Sequence, residues 1–193
     1  MTTLLDCQTL DAQDALRPLR EHFTLPDGMV YLDGNSLGAM PRATAARVAD
    51  VVTREWGQDL IKSWNSAGWF DLPQRLGNMI APLIGAGDNE VVATDSTSVN
   101  LYKVLHAAIA IAKSKKPGTT RRQFVLSERA NFPTDLYIAQ GLCAAQGLTL
   151  KLVEADQISA ALADTSDGEV AVLMLTHVNY RTGAMHDMAA ITA

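Results

Sequence analysis

The fold of this chain is indicated first by residues 94–100, Thr-Asp-Ser-Thr-Ser-Val-Asn, which run directly into the apolar segment 101–112. The run just before them, residues 90–94, predicts a short buried strand. A strand that leads through small hydroxyl residues into a helix is suited to hold a phosphate. The first N–H groups of a helix have no partner inside it, and the helix dipole favours negative charge there. Thr97 and Ser98 can add hydroxyl donors to the same anion, although the pattern is also typical of a plain N-cap.

The usual glycine-rich phosphate loops are absent from the sequence. It contains neither Gly-x-Gly-x-x-Gly nor Gly-Lys followed by Ser or Thr. These motifs are typical of dinucleotide and nucleoside-triphosphate sites. A cofactor with one small phosphate therefore fits this chain better.

Composition and charge favour a globular protein without a nucleic-acid partner. The 193 residues carry a net charge of −5, and 48% of them are hydrophobic. Most basic residues are scattered, and the short basic runs near residues 113–122 flank Pro117 and Gly118, which predicts a solvated loop.

Targeting, membrane and metal signals are also lacking. We expect no secretory signal at residues 1–6, no membrane span, and no zinc site or disulfide from Cys7 and Cys143. The sequence therefore predicts a cytoplasmic protein with no membrane partner and no metal.

The second half of the chain has the pattern of an α/β domain. Apolar, β-branched runs alternate with segments of helical periodicity, which indicates βαβ units and a mainly parallel sheet flanked by helices. The predicted strands are 90–94, 123–126, 149–153 and 170–176, and the predicted helices are 99–112, 133–146 and 158–163. The unbroken apolar run 170–175 is typical of a strand buried on both faces.

The first half is predicted to be helical. Helices are expected at 10–23, from Pro41 to about residue 62, and at 72–84, where Gly85 ends the last of them. We therefore divide the chain into an α-rich N-terminal arm with a substrate-side segment, 1–88, and the first part of an α/β domain, 89–193. The final residues, 188–193, are typical of the opening of another helix, after which a further strand is expected.

Three further segments carry polar or aromatic residues that could form a site. Residues 31–38 read as a structured turn, residues 131–135 place an aromatic ring between a strand and a helix, and residues 175–183 follow the last strand. Ligands of open α/β folds bind at the carboxyl ends of the strands. Each segment also has a simpler interpretation: a surface turn, a core phenylalanine, and a hydrogen-bonded loop in which His177 need not be an acid or base.

Taken together, these motifs resemble the kynureninase family, most closely its bacterial members. The resemblance covers nearly the whole chain and rests on residues 31–38, 55–57, 63–69, 95–100, 131–135 and 176–183. It implies the aspartate-aminotransferase fold (fold type I, here the N-terminal part of the large domain) and dependence on pyridoxal 5′-phosphate (PLP). It also implies hydrolysis of L-kynurenine, and of 3-hydroxykynurenine, to anthranilate or 3-hydroxyanthranilate and L-alanine. That reaction belongs to tryptophan degradation and NAD biosynthesis, and the family forms homodimers.

The resemblance also assigns roles to individual residues. Thr97 and Ser98 would bind the cofactor phosphate, and Phe132 would stack on its pyridine ring. Within the same segment, Pro133, Thr134 and Asp135 would complete that wall, and Thr176 would lie beside the ring or the phosphate. On the substrate side the implied residues are Asn35, Ser36 and Trp64.

The catalytic residues implied by the resemblance are not in this sequence. The family's Schiff-base lysine, and the aspartate that pairs with the pyridinium nitrogen, belong to motifs that have no match among the 193 residues. We therefore expect the chain alone to be inactive. Three alternatives stay open: an inactive truncated fragment of kynureninase, another fold-type-I PLP enzyme such as a cysteine desulfurase or aminotransferase relative, and a non-catalytic remnant that binds phosphate or a full-length partner.

Overall fold

The computed structural model describes residues 2–114, 122–164 and 169–192, which fall into two compact units, Met1–Ala93 and Thr94–Ala193. The basic loop predicted around Pro117 lies outside the described residues. Within the described part, no helix is long and apolar enough to cross a membrane. The same residues contain no cluster of three or more His, Cys, Asp or Glu side chains that could hold a metal ion.

The C-terminal unit is built on a parallel sheet of three strands, in which Phe124–Glu128 lies between Thr149–Val153 and Val170–Met174. Its elements in chain order are α5 (Thr97–Ser114), β3 (Phe124–Glu128), α6 (Pro133–Gln146), β4 (Thr149–Val153), a 3₁₀ turn (Ala155–Gln157), α7 (Ile158–Asp164), β5 (Val170–Met174) and α8 (Met188–Thr192). The α/β pattern predicted for this half of the chain is confirmed.

The core of this unit lies between the sheet and two helices. Leu105 and Ile109 of α5 pack with Leu142 of α6 and Val125 of β3, and each is almost completely buried. Four of the five residues of β3 are buried, whereas most of β5 is only half-buried. The most buried strand is thus β3 rather than the predicted 170–175: β3 is the central strand, whereas β5 has a neighbour on only one side among the described strands.

Helices α5 and α6 pack against each other with their C-terminal ends together. Lys113 Nζ, in the last turn of α5, donates to the carbonyl oxygen of Gln146 at the end of α6, over 2.8 Å. The two helices therefore run in the same direction. Since α6 begins just beyond the carboxyl end of β3, the start of α5 lies at that same edge of the sheet. This brings Thr97 and Ser98 to the edge where ligands of α/β folds bind.

The N-terminal unit consists of short helical pieces. Its elements are α1 (Leu4–Gln13), a 3₁₀ helix (Arg17–His22), the paired strands β1 (Phe23–Thr24) and β2 (Met40–Pro41), α2 (Thr44–Asp50), a π-helical stretch (Val51–Trp56), a 3₁₀ turn (Leu60–Lys62), α3 (Ser63–Ser66), α4 (Leu72–Ile80) and a 3₁₀ turn (Ala81–Ile84). Gly85 ends the last of these in the left-handed conformation, as predicted.

Two helix predictions for this unit are wrong in their extent. The expected helix 10–23 is divided between α1 and the 3₁₀ helix, with Pro18 in the first turn of the second piece. The helix expected from Pro41 to about residue 62 is instead three pieces, Thr44–Asp50, Val51–Trp56 and Leu60–Lys62, and Pro41 itself lies in β2 and pairs with Phe23 of β1. Leu60 has a φ of 52°, a left-handed conformation that no α-helix accommodates.

The strand predicted at 90–94 is also wrong, because this segment docks on α4 instead of pairing with a strand. Gln74 Nε2 donates to the carbonyl oxygen of Val91 over 2.9 Å, and the Ala93 N–H donates to the Pro73 carbonyl oxygen over 3.1 Å. Val92 is 54% exposed. Backbone groups that a sheet would have paired are thus satisfied by a helix and its side chains.

Candidate functional site

The start of α5 has two backbone N–H donors that no acceptor in the described part of the chain uses. Ser96 caps the helix, since its hydroxyl accepts the Val99 N–H over 3.4 Å, and Asn100 Nδ2 ties the Thr94 carbonyl oxygen to the first turn over 2.7 Å. Among the described residues, the N–H groups and hydroxyls of Thr97 and Ser98 have no partner. They can therefore donate to an anion at the positive end of an 18-residue helix.

Asp95, next to this helix start, forms an ion pair with Lys103. Asp95 accepts hydrogen bonds from Lys103 Nζ and from the Thr94 hydroxyl, and the Lys103 contact is the main reason why the pKa of Asp95 lies below its ordinary value. Its charge is thus balanced locally, and the helix start stays open to a further anion.

Asn131 is a buried hub between the ends of two strands. Its Oδ1 accepts the Thr176 hydroxyl over 2.6 Å and the Phe132 N–H over 2.7 Å, and its Nδ2 donates to the Ser127 hydroxyl over 3.2 Å. Ser127 in turn donates to the carbonyl oxygen of Met174, the last residue of β5, over 2.7 Å. One side chain thereby joins the end of β3, the start of α6 and the end of β5.

Phe132 stands at this junction with its ring partly open to solvent. It is the N-cap residue of α6 and is 44% exposed, so it is not a core side chain. The Tyr180 ring meets it in a T-shaped contact, with 5.0 Å between the ring centroids. A half-exposed aromatic ring that is held from one side can stack on a flat ligand.

The three residues after Phe132 form the first turn of α6. Pro133 and Thr134 are exposed, whereas Asp135 is half-buried and its carboxylate has no hydrogen-bond partner among the described side chains. Partial burial raises the pKa of Asp135. A carboxylate in that position gains most from a donor or cation brought by a ligand.

Residues 176–187, here called the rim loop, fold back over the end of β3. The loop is a small hairpin closed by a bridge between Val178 and Met185, and Asn179 Oδ1 accepts the N–H groups of Arg181 and Thr182 in its turn. Asn179 Nδ2 reaches across to the carbonyl oxygen of Ala130 over 3.2 Å.

The substrate-side residues of the prediction lie in the N-terminal unit. Ser36 donates to the Asp33 carboxylate over 2.7 Å in a turn that the Tyr31 hydroxyl closes on the Leu37 carbonyl oxygen, while Asn35 is exposed. The predicted turn is thus present. Trp64 is half-exposed and meets Trp69 edge to face, with 6.4 Å between the ring centroids.

A buried glutamate holds the Trp69 ring. The Trp69 indole N–H donates to Glu55 over 2.6 Å, and Arg47 and Arg54 lie 2.7 and 3.3 Å from the other carboxylate oxygen. The hydrogen bonds from Arg47 and then from Trp69 lower the pKa of Glu55.

This arrangement predicts an acid-sensitive N-terminal unit. Because the folded-state pKa of Glu55 is depressed, its stabilising contribution is complete above the ordinary glutamate pKa and is lost as the pH falls through the folded value. We expect Glu55→Gln to flatten the pH dependence of unfolding in the acid range. The fluorescence of Trp56, Trp64 and Trp69, the three tryptophans, reports this unit alone. An unchanged acid slope in the variant would contradict the expectation.

In the C-terminal unit, the structure joins Phe132 to Thr176 through Asn131, and the helix directions bring Thr97 and Ser98 to the same edge. Sequence reasoning gave no role to Asn131 or Tyr180, although both stood in the quoted motifs. It missed Glu128 and His186 altogether, which lie 2.8 Å apart behind the same junction. No sequence pattern connects two residues so far apart in the chain.

These observations define a class: an α/β domain whose parallel sheet carries, at its carboxyl edge, a free helix N-terminus and a half-exposed aromatic ring. No family model matches the chain. It is 56% identical over 195 aligned positions to a kynureninase from Pseudomonas fluorescens, 55% over 192 to one from Burkholderia mallei (strain SAVP1), and 54% over 194 to one from Burkholderia pseudomallei (strain K96243). Each alignment covers the whole of this chain and 45% of the relative. The whole chain is thus similar to an N-terminal portion of bacterial kynureninases and spans less than half of their length.

Proposed function

We propose that this chain provides the phosphate-binding and ring-stacking half of a PLP-dependent kynureninase of fold type I. The enzyme would hydrolyse L-kynurenine or 3-hydroxykynurenine in tryptophan degradation and NAD biosynthesis, as a cytoplasmic homodimer. The observation that carries the proposal is the identity of about 55% to kynureninases over the whole chain. Because the chain spans 45% of their length, the complete activity would need the part of the family that these residues do not include.

The donor set at the sheet edge fits PLP. A phosphate monoester needs several N–H and O–H donors, and Thr97 and Ser98 offer four that no described protein group occupies. An aromatic pyridine ring needs a flat partner, which Phe132 supplies with Tyr180 behind it. We propose that Pro133, Thr134 and Asp135 line the same wall, and that Thr176 contacts the ring or phosphate while its hydroxyl stays bonded to Asn131.

When bound, PLP would supply an electron sink for the amino-acid substrate. The residues of this chain bind and orient it: Thr97 and Ser98 fix the phosphate, and Phe132 fixes the plane of the ring. Asn35, Ser36 and Trp64 are proposed to approach the substrate. We assign no covalent or proton-transfer role to any of the 193 residues, and we therefore propose that the chain alone lacks activity.

A hybrid enzyme tests this proposal. The matching N-terminal 45% of the Pseudomonas fluorescens kynureninase would be replaced by this chain, and anthranilate release from kynurenine would be followed by fluorescence. We expect a folded hybrid to be active with PLP and the 193-residue chain alone to be inactive. A hybrid that folds, as judged by circular dichroism, but releases no anthranilate would rule the proposal out.

The phosphate assignment is tested in the same hybrid. Thr97→Ala with Ser98→Ala should raise the PLP concentration for half-maximal activity at least about tenfold, because hydrogen bonds to charged groups contribute about 1.5–3 kcal/mol each. Ser114→Ala, at the opposite end of the same helix, is the matched control and should leave that concentration unchanged. If the PLP concentration for half-maximal activity were the same in the two variants, Thr97 and Ser98 would not be the residues that bind the phosphate.

A further inference from the structure

Behind the junction of Asn131 and Phe132 lies a buried acid–base pair that the proposed chemistry does not use. Glu128 is the last residue of β3, the central strand, and His186 is in the returning arm of the rim loop. Their side chains are 8% and 13% exposed, and a hydrogen bond of 2.8 Å joins His186 Nε2 and Glu128 Oε2. Among the described side chains, His186 is the one partner of this carboxylate.

Because it is buried, the Glu128 side chain needs a hydrogen-bonding partner within the protein. A carboxylate taken out of water is strongly destabilising unless it is paired and hydrogen-bonded. Surface ion pairs of this chain, such as Arg129 with Glu154, are more than half exposed. Water still solvates their charged groups, so they do not depend on a protein partner in this way. Glu128 therefore restrains where His186, and with it the returning arm of the rim loop, can lie.

The rim loop contacts residues 128–132, which lead from the end of β3 to the start of α6, at four points. The Thr176 hydroxyl bonds to Asn131, Asn179 bonds to the Ala130 carbonyl oxygen, and Tyr180 meets Phe132. The fourth point is His186 on Glu128. The first three are hydrogen bonds between uncharged groups or a ring contact, whereas the fourth joins two ionisable side chains that are both nearly buried. The returning arm is held to β3 by this fourth contact.

We propose that Glu128 and His186 are positioning residues that clamp the rim loop onto β3 and so hold Tyr180 behind the Phe132 ring and Thr176 beside it. The backbone supports this coupling, because the His186 N–H donates to the His177 carbonyl oxygen over 3.0 Å and the Asn179 N–H donates to the Ala184 carbonyl oxygen over 2.8 Å. The position of one arm of the hairpin therefore sets the position of the other. The link to a cofactor rests on the proposed function, but the clamp itself does not.

The clamp is tested without cofactor by limited trypsin digestion of the 193-residue chain. Arg181 is exposed at the tip of the rim loop. We expect His186→Ala to speed cleavage after Arg181 at least about tenfold, because local opening controls cleavage of folded segments. Cleavage after Arg20, in the other unit, is the internal reference. Glu154→Gln, which neutralises an exposed ion pair, is the matched control and should leave both rates unchanged.

Rescue separates the hydrogen bond from general destabilisation. Glutamine can present an N–H donor near the position of the imidazole Nε2, so His186→Gln should restore most of the resistance at Arg181 that His186→Ala loses. Wild-type cleavage in His186→Ala, or equal cleavage in the Ala and Gln variants, would overturn the clamp.

The consequence for the cofactor is read in the hybrid enzyme. His186→Ala should raise the PLP concentration for half-maximal activity about tenfold, with a smaller fall in the rate at saturating PLP. A role confined to folding would lower the amount of active enzyme and leave that concentration unchanged, which would also overturn the positioning role. If the unmutated hybrid is folded but inactive, the proposed function fails, while the digestion still decides on the clamp.

Discussion

Replacing Gly77 by alanine should destabilise the N-terminal unit by about 3 kcal/mol or more, as expected where an added group cannot be accommodated. A methyl group built on Gly77 would lie 1.9 Å from the carbonyl oxygen of Val91 and 2.5 Å from its carbonyl carbon. Both atoms belong to the backbone, so no side-chain rotation can relieve the overlap. The segment that docks on α4 would have to move away and would lose its hydrogen bonds from Gln74 and to Pro73.

The same substitution at Gly141 should act in the opposite direction. Gly141 lies inside α6, is exposed, and has no atom within 4 Å of the position of an added Cβ. Alanine there should stabilise the C-terminal unit by about 0.5–1 kcal/mol, because glycine loses more backbone freedom on entering a helix.

Urea unfolding distinguishes the two cases. Tryptophan fluorescence follows the N-terminal unit, which holds all three tryptophans, and far-UV circular dichroism follows both units. We expect the fluorescence midpoint to fall sharply in Gly77→Ala and to be unchanged in Gly141→Ala. A Gly77→Ala variant as stable as the wild type would show that residues 91–93 do not pack on α4 as described.

The contact at Gly77 also explains where sequence reasoning failed. Residues 90–94 have the composition of a strand, and β-branched residues are enriched in strands because they suit a half-buried pleated surface. Whether such a run pairs with a strand or rests on a helix depends on its neighbours in space. Here the run rests on α4, because Gly77 has no side chain and the backbone of Val91 can lie directly against it. No pattern within residues 90–94 reveals this contact.

Other elements were predictable because their limits are set locally. Helix α6 and strand β4 have the predicted bounds. Pro133 begins the helix, where its missing N–H costs nothing, and Gly147 ends it at a φ of 65°. Pro133 and Gly147 each lie within one residue of the helix end that they determine.

The candidate site was predictable to the extent that its residues lie at strand ends. Phe132 and Thr176 follow β3 and β5, and parallel strands end at a common edge, so their proximity follows from the pattern. Glu128 and His186 were missed because the return of the rim loop to β3 is a tertiary property. Their pairing needs the hairpin turn at Asn179 and the register of β3 with β5, and neither is encoded within the few residues around them.

Truncating Asn131 to alanine should be the most damaging change in the C-terminal unit. The amide accepts two hydrogen bonds, from Thr176 and from the Phe132 N–H, and donates one to Ser127, at a position that is 6% exposed. Its removal leaves several buried polar groups unpaired, at about 1–3 kcal/mol for each that water cannot reach. We expect a loss of about 2–4 kcal/mol in the unfolding free energy.

A graded series makes this prediction specific to the hub. Thr176→Val removes one donor to Asn131 and should destabilise by about 1 kcal/mol, whereas Gln140→Ala removes an exposed amide from α6 and should change little. The unfolding free energy is measured by circular dichroism in urea. Asn131 Oδ1 also accepts the Phe132 N–H at the start of α6, so Asn131→Ala loses more than the one hydrogen bond that Thr176→Val loses. We therefore expect the unfolding free energy of Asn131→Ala to lie well below that of Thr176→Val, and that of Gln140→Ala to be close to the wild-type value. If Asn131→Ala were no less stable than Gln140→Ala, the amide would not be what joins β3, α6 and β5 at the sheet edge.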